Sequence, residues 1–348
     1  MNSFPIISTK RVPKYRGAIT LFLLSVFCFC ISFEVVSATD RVSGLPYSDT
    51  LSAAPDPVDE AQKFLFKDDS VSCTIPFSKA GSLILIKGRA DTIEGNFILD
   101  TGAPYLILNV IYFRHYPVTV VPDEHQTSIS GTSGMINKTK LKEFTFGALH
   151  YFQTEVDLVD LGHIENSKGV KILGLIGFEL LQHCEMIIDY ENSLIYLHRI
   201  GRKEGAKYNS RHLQDHTGYT TIPIEIMDHK IVVRTEMAGR KLQFVMDSGA
   251  ETNILDSRLP SLFFKYVNIT GRLNIRGSDN TTVEALSGNA NNIKIGGEDM
   301  GSLPVLIANL ERTCFWASGC ANGVLGFEFL RLRKLGFNFV TGKMYLWK

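Results

Sequence analysis

Two stretches of this chain repeat one another, and the repeat limits the possible fold more than any other feature. GNFILDTGAPYLIL (Gly95 to Leu108) and RKLQFVMDSGAETNIL (Arg240 to Leu255) each run from apolar residues into Asp-[Thr/Ser]-Gly-Ala and back to apolar residues. Further on, GLIGFELL (Gly174 to Leu181) matches GVLGFEFL (Gly323 to Leu330), and EMIIDYENSLIYLH (Glu185 to His198) matches KLGFNFVTGKMYLWK (Lys334 to Lys348). Three blocks in one order, at a nearly constant offset of about 150 residues, mean a duplicated domain. The 348 residues accordingly split into two similar units of ordinary size.

Each half reads as β-rich. IPFSKAGSLILIKG (Ile75 to Gly88) and IPIEIMDHKIVVRTEMAG (Ile222 to Gly239) are short β-branched and apolar runs bounded by glycine and polar residues. DYENSLIYL and NFVTGKMYL have the pattern of hairpins, with Asn-Ser or Thr-Gly at the turn. Only GFELLQ and GFEFLR look briefly helical. Residues 71–200 form the expected first unit and residues 219–348 the second. Residues 201–218, polar and without apolar periodicity, are expected to link them.

The N-terminus sets the compartment. Residues 1–16 carry Lys10, Arg11, Lys14 and Arg16 without an acid, the apolar run Gly17 to Phe33 follows, and Val36-Ser37-Ala38 offers a cleavage site before Thr39. That order predicts a secretory signal over residues 1–38, with an uncleaved anchor as the alternative. Residues 39–70 are polar and could be a tail, a pro-segment or an edge strand. Beyond them no segment is long and apolar enough to span a bilayer, so the rest of the chain is expected outside the cytosol, in the secretory pathway or beyond it.

Cysteine usage suits an oxidising compartment. Cys28 and Cys30 lie within the leader, which leaves an even set of Cys73, Cys184, Cys314 and Cys320. Cys314 and Cys320, with five residues between them in CFWASGC, are expected to bridge, which would pair Cys73 with Cys184. Sequons begin at Asn137, Asn268 and Asn280, about the number that chance supplies.

The duplicated aspartates carry the chemistry. A carboxylate at the end of a buried strand is costly, because burial opposes ionisation. The cost has a reason if Asp100 and Asp247 meet across a two-fold axis. Close together they hold one proton between them, titrate as a pair and share one water. The ionised member can take a proton from that water while the protonated member donates to a peptide carbonyl. Thr101 and Ser248 supply hydroxyls able to cross-link the two loops. Gly102 and Gly249 allow tight turns, and Ala103 and Ala250 leave room beside the water.

These motifs resemble the aspartic protease superfamily, which holds the pepsin-like enzymes and the retroviral proteases. FVMDSGAETNIL is closer to the retroviral type, in which an acid follows Asp-[Ser/Thr]-Gly-Ala. The resemblance gives Glu251 a part in binding the substrate main chain, whereas the first half has Pro104 there. Leu175-Ile176-Gly177 and Val324-Leu325-Gly326 match the element that props the catalytic loop in that family. The resemblance implies an all-β chain of two pseudo-two-fold-related, closed barrel-like lobes with the active site between them. It also implies glycine-tipped flaps, with Gly131 or Gly134 in the first half and Gly277 in the second, and neither candidate flap contains the tyrosine of pepsin-like enzymes.

Other chemistries lack motifs. No His-Glu-x-x-His, Gly-x-Ser-x-Gly or phosphate-binding loop occurs, and His212 and His216 read as solvated linker residues rather than metal ligands. Lys+Arg and Asp+Glu number 36 each, and a net charge of zero argues against a nucleic-acid partner. The expected function is endopeptidase hydrolysis of extended peptide or protein substrates by a monomer, with no metal or cofactor. A membrane would be involved only through an uncleaved leader. The alternative is a catalytically inactive module of the same fold that binds peptides or inhibits another hydrolase.

Overall fold

The computed structural model describes residues 21–22, 71–122, 135–276, 282–311, 314–315 and 319–348. The leader (apart from residues 21–22), the segment 39–70, the flap glycines Gly131, Gly134 and Gly277, and the sequon at Asn280 lie outside the described residues.

The first lobe is a closed barrel. Its ring runs from Leu83–Ala90 to Ile93–Leu99, Gly174–Ile176, Ile107–Asn109, Leu149–Val159 and Met135–Phe146. It closes where Gly88–Ala90 pair with Phe144–Phe146. Phe97 and Phe144 meet edge to face inside, with ring centroids 5.1 Å apart. The alternation of apolar residues along these strands fills a barrel of this size with side chains.

The second lobe repeats the ring. Lys230–Met237, Arg240–Met246, Gly323–Leu325, Asn253–Asp256, Leu303–Ala308 and Thr282–Ala290 follow in the same order and with the same mixture of parallel and antiparallel pairs. Closure falls to Ile293–Ile295, which pair with Thr235–Met237. In this lobe the strand is interrupted near Asn292, whose φ of 62° turns the chain into the left-handed region that asparagine tolerates better than most residues.

One further sheet joins the lobes. Its order is Val71–Pro76, Leu194–Arg199, Cys184–Asp189, Leu335–Asn338, Lys343–Trp347, Tyr219–Met227. The two halves contribute three strands each, and they meet where Ile187 faces Gly336. A pseudo-two-fold axis thus passes between Cys184–Asp189 and Leu335–Asn338. The hairpins foreseen from DYENSLIYL and NFVTGKMYL are the two pairs that flank the central junction of this sheet, turning at Ser193 and Gly342 with φ of 54° and 62°. Residues 201–218 cross from one half to the other, pinned by buried Leu213 against Tyr219, Tyr345 and Trp347.

The pairing of Cys73 with Cys184 is corrected. Both thiols are free. Cys73 faces Leu197 and Cys184 faces Arg199, on opposite sides of the strand Leu194–Arg199. Two strand spacings, about 9–10 Å, exceed the roughly 4.4–6.8 Å between Cα atoms that a disulfide spans. Burial pushes the Cys184 thiol up to about 12 and raises Cys73 as well, which makes both poor nucleophiles. Cys314 and Cys320, by contrast, are directly opposed in a two-residue antiparallel ladder.

Candidate active site

Asp100 and Asp247 each follow a strand of the inner ring, Ile93–Leu99 and Arg240–Met246, and both are fully buried. Their main chains are held in the same way. The Asp100 amide donates to the Ile176 carbonyl at 3.0 Å, and the Asp247 amide donates to the Leu325 carbonyl at 3.0 Å. Phe178 N–H reaches the Ala103 carbonyl at 2.8 Å, and Phe327 N–H reaches the Ala250 carbonyl at 2.8 Å. The Leu175-Ile176-Gly177 and Val324-Leu325-Gly326 elements therefore sit directly against the two loops. Glycine is required in both, since a Cβ on Gly177 would lie 2.1 Å from the Tyr105 carbonyl oxygen. One on Gly326 would lie 2.5 Å from the carbonyl oxygens of Ala250 and Thr252.

Inside each loop the carboxylate folds back onto its own turn. Asp100 Oδ1 accepts from Gly102 N–H at 3.0 Å and Ala103 N–H at 3.1 Å. Asp247 Oδ1 accepts from Gly249 N–H at 2.8 Å and Ala250 N–H at 3.1 Å. Between the loops the hydroxyls cross. Ser248 Oγ accepts from Thr101 N–H and donates to the Leu99 carbonyl, at 3.0 and 2.8 Å. Thr101 Oγ1 accepts from Ser248 N–H and donates to the Met246 carbonyl, at 3.0 and 3.1 Å.

The glycines bring the acids together. A Cβ on Gly102 would stand 2.5 Å from the Asp247 carboxyl carbon, and one on Gly249 would stand 2.5 Å from that of Asp100. Each carboxyl thus lies against the other loop's glycine, a contact that any larger residue would prevent. Asp247 is held well above the ordinary carboxylate range by burial first and the Asp100 charge second. The Gly249 amide and the Lys230 charge oppose that rise. Its second oxygen, Oδ2, is buried with no hydrogen-bond partner among the described residues. A buried unpartnered carboxyl oxygen is costly, and a proton or a bound water relieves that cost.

Glu251 reaches across to the first lobe. Its Oε2 accepts from Ser82 Oγ at 2.7 Å and its Oε1 from Lys168 Nζ at 2.5 Å, so the acid assigned to the substrate main chain ties the lobes together. Lys168 ends the helix Gly162–Lys168, which stops at Gly169 with φ 65°. Sequence reasoning missed this helix and the tie; the Lys-Gly ending was the available signal. On the other side of the axis His229 meets Tyr105, with ring centroids 5.3 Å apart. Lys138 lies 5.9 Å above the Tyr105 ring. Nearby Glu179, from the Gly-Phe-Glu block, is pushed up to about 7, chiefly by burial, with Lys138 opposing and Asp157 adding.

Linker His212 packs on Tyr196 at 4.5 Å, and His216 Nδ1 hydrogen-bonds the Tyr219 hydroxyl. Asn137 and Asn268, which begin two sequons, are exposed.

No family model matches the chain, and no curated protein matches it by sequence. Among solved structures it is similar to an aspartic proteinase from Irpex lacteus, with 11% identity and a TM-score of 0.45 over 80% of this chain and 97% of that one. It is also similar to basic 7S globulin from soybean, with 9% identity and a TM-score of 0.41 over 80% of this chain and 95% of that one.

Proposed function

We propose that this chain is an aspartic endopeptidase in which Asp100 and Asp247 share one proton and activate one water. The observation that carries the reading is the reciprocal geometry of the loops: both carboxyls buried, each against the opposite glycine, each oriented by two amides of its own turn. A structural aspartate needs one such arrangement, not two related by symmetry.

The ionised carboxyl draws a proton from the water as its oxygen attacks the peptide carbonyl, while the protonated one donates to the carbonyl oxygen. Collapse of the tetrahedral intermediate then passes a proton to the departing nitrogen. The Thr101 and Ser248 hydroxyls hold the two loops in register, so the carboxyls need not reorganise as charge moves. An extended substrate suits the site because strand-like main-chain bonding supplies affinity without regard to side chains. Both acids come from one chain, so a monomer suffices.

Secretion belongs to the same reading. The leader would be removed before Thr39, and N-terminal sequencing of secreted material checks that. The enzymatic claim is tested by incubating the chain with a mixed peptide library across acid and neutral pH, with and without pepstatin. Cleavage blocked by pepstatin is expected. Pepstatin binding without cleavage at any pH would leave a peptide-binding module instead.

A further inference from the structure

The two Asp-[Thr/Ser]-Gly-Ala turns match in every hydrogen bond described above, and besides Glu251 a second neighbour breaks the symmetry. Continuing the Leu85–Ile98 register by two residues sets Leu83 beside Asp100. Continuing the Ile231–Met246 register by one sets Lys230 beside Asp247. Leu83 and Lys230 are the first residues of equivalent strands, and both side chains are fully buried. Directly opposed residues in an antiparallel ladder share a face, so Lys230 and Asp247 lie on the same side of the sheet. That face also carries buried Val232 and Val245. Burying an ammonium group is costly, and leucine serves the same place in the other lobe without that cost.

We propose that Lys230 is a positioning residue of the dyad, a buried cation beside Asp247 alone that sets the range of acidity over which the pair holds one proton. The inference rests on the endopeptidase reading for its consequence in turnover. Among the described residues, the charged groups acting on Asp247 are Asp100 from the opposite loop and Lys230 from the adjacent strand. Asp228 and His229 precede Lys230 in the chain, and Glu251 is engaged by Lys168 and Ser82. A cation favours each ionised state of the pair, so removing it makes both proton losses occur at higher pH. Lys230 thereby keeps the singly protonated pair available in more acidic solution than two buried carboxyls alone would allow.

The test is the pH profile of kcat/KM for the wild-type chain, Lys230→Met and Lys230→Arg on one cleaved peptide. Lys230→Met should shift both limbs upward by on the order of one pH unit, and Lys230→Arg should restore them. A folded Lys230→Met enzyme with unmoved limbs, whatever its kcat, would overturn the proposal. Carboxyl-carbon NMR of Asp100 and Asp247 in the same proteins provides a readout that does not need turnover. An inactive wild-type chain would defeat the endopeptidase reading, while an unchanged carboxyl titration in Lys230→Met would defeat this one. If Lys230→Met does not fold, nitrogen NMR of the lysine side chains in the wild-type chain decides. Nζ of Lys230 must be protonated while the pair titrates, and a neutral amine at pH 5 would contradict the role.

Discussion

Thr101 and Ser248 exchange hydrogen bonds across the interface between the lobes: each hydroxyl accepts from the other's main-chain N–H at 3.0 Å. Each then donates to a carbonyl of the opposite lobe, so four buried main-chain groups depend on two side-chain oxygens. Thr101→Val keeps the shape but leaves the Ser248 N–H and the Met246 carbonyl without those partners. At about 1–3 kcal/mol for each of the two groups, the variant should lose roughly 2–6 kcal/mol in urea unfolding. Thr101→Ser should lose far less. A Val variant as stable as wild type would mean that the cross-link contributes little.

The Lys168–Glu251 pair joins the lobes on one side of the axis, with both side chains largely enclosed at 10% and 12% exposure. Removing one partner strands the other charge. Lys168→Met is expected to cost roughly 2–4 kcal/mol, and adding Glu251→Gln should recover part of the loss. A double-mutant cycle on thermal or denaturant unfolding measures the coupling. Additive losses would show that the contact carries no specific interaction.

Glu179 predicts a pH effect of definite sign. Its folded pKa, about 7, lies above its ordinary value of 4.5, mainly through burial. The folded state therefore prefers the protonated acid. That contribution is fully present below the ordinary value and is lost as pH rises through about 7. Glu179→Gln, which mimics the neutral form, should match wild type near pH 4 and be the more stable protein near pH 8. Parallel stability curves from pH 4 to 8 would contradict the burial of this carboxyl.

Much of the site was legible because duplication marks function twice. Asp100, Asp247, their hydroxyl and glycine companions and the two propping elements were all visible as repeated blocks, and the structure brings them together around one axis. What the pattern could not convey is what breaks the symmetry. Glu251 has no counterpart in the first half, and its partners Ser82 and Lys168 come from loop and helix positions without a repeated signature. Lys230 opens an apolar strand and reads as an ordinary boundary charge until the Ile231–Met246 register, continued by one residue, sets it beside Asp247. The Cys73–Cys184 expectation failed because counting cysteines carries no register, and the strand between them is visible only in the sheet.

Cys314 and Cys320 stand opposite one another in their short ladder. Opposed Cα atoms lie about 4.5–5.5 Å apart, within the span of a disulfide. The expectation is a bridged pair, with Cys73 and Cys184 carrying free thiols. Peptide mapping without reduction should recover a linked 314–320 peptide. Alkylation of both Cys314 and Cys320 in the unreduced protein would refute it. A ring this small removes little unfolded-state entropy, so reduction should alter the neighbouring loop more than global stability.

The shared-proton dyad is tested most directly by the turnover of Asp100→Asn and Asp247→Asn on one cleaved peptide. Neither carboxyl can accept the water's proton and donate to the carbonyl at once, so each substitution should lower kcat/KM by on the order of a thousandfold or more. Both variants should stay folded. Asp247→Asn should be more stable than wild type at neutral pH, because the raised Asp247 carboxyl destabilises the fold as pH climbs toward its folded value. Activity per molecule should be independent of protein concentration, as one chain supplies both acids. Near-normal turnover in either folded variant would contradict the dyad.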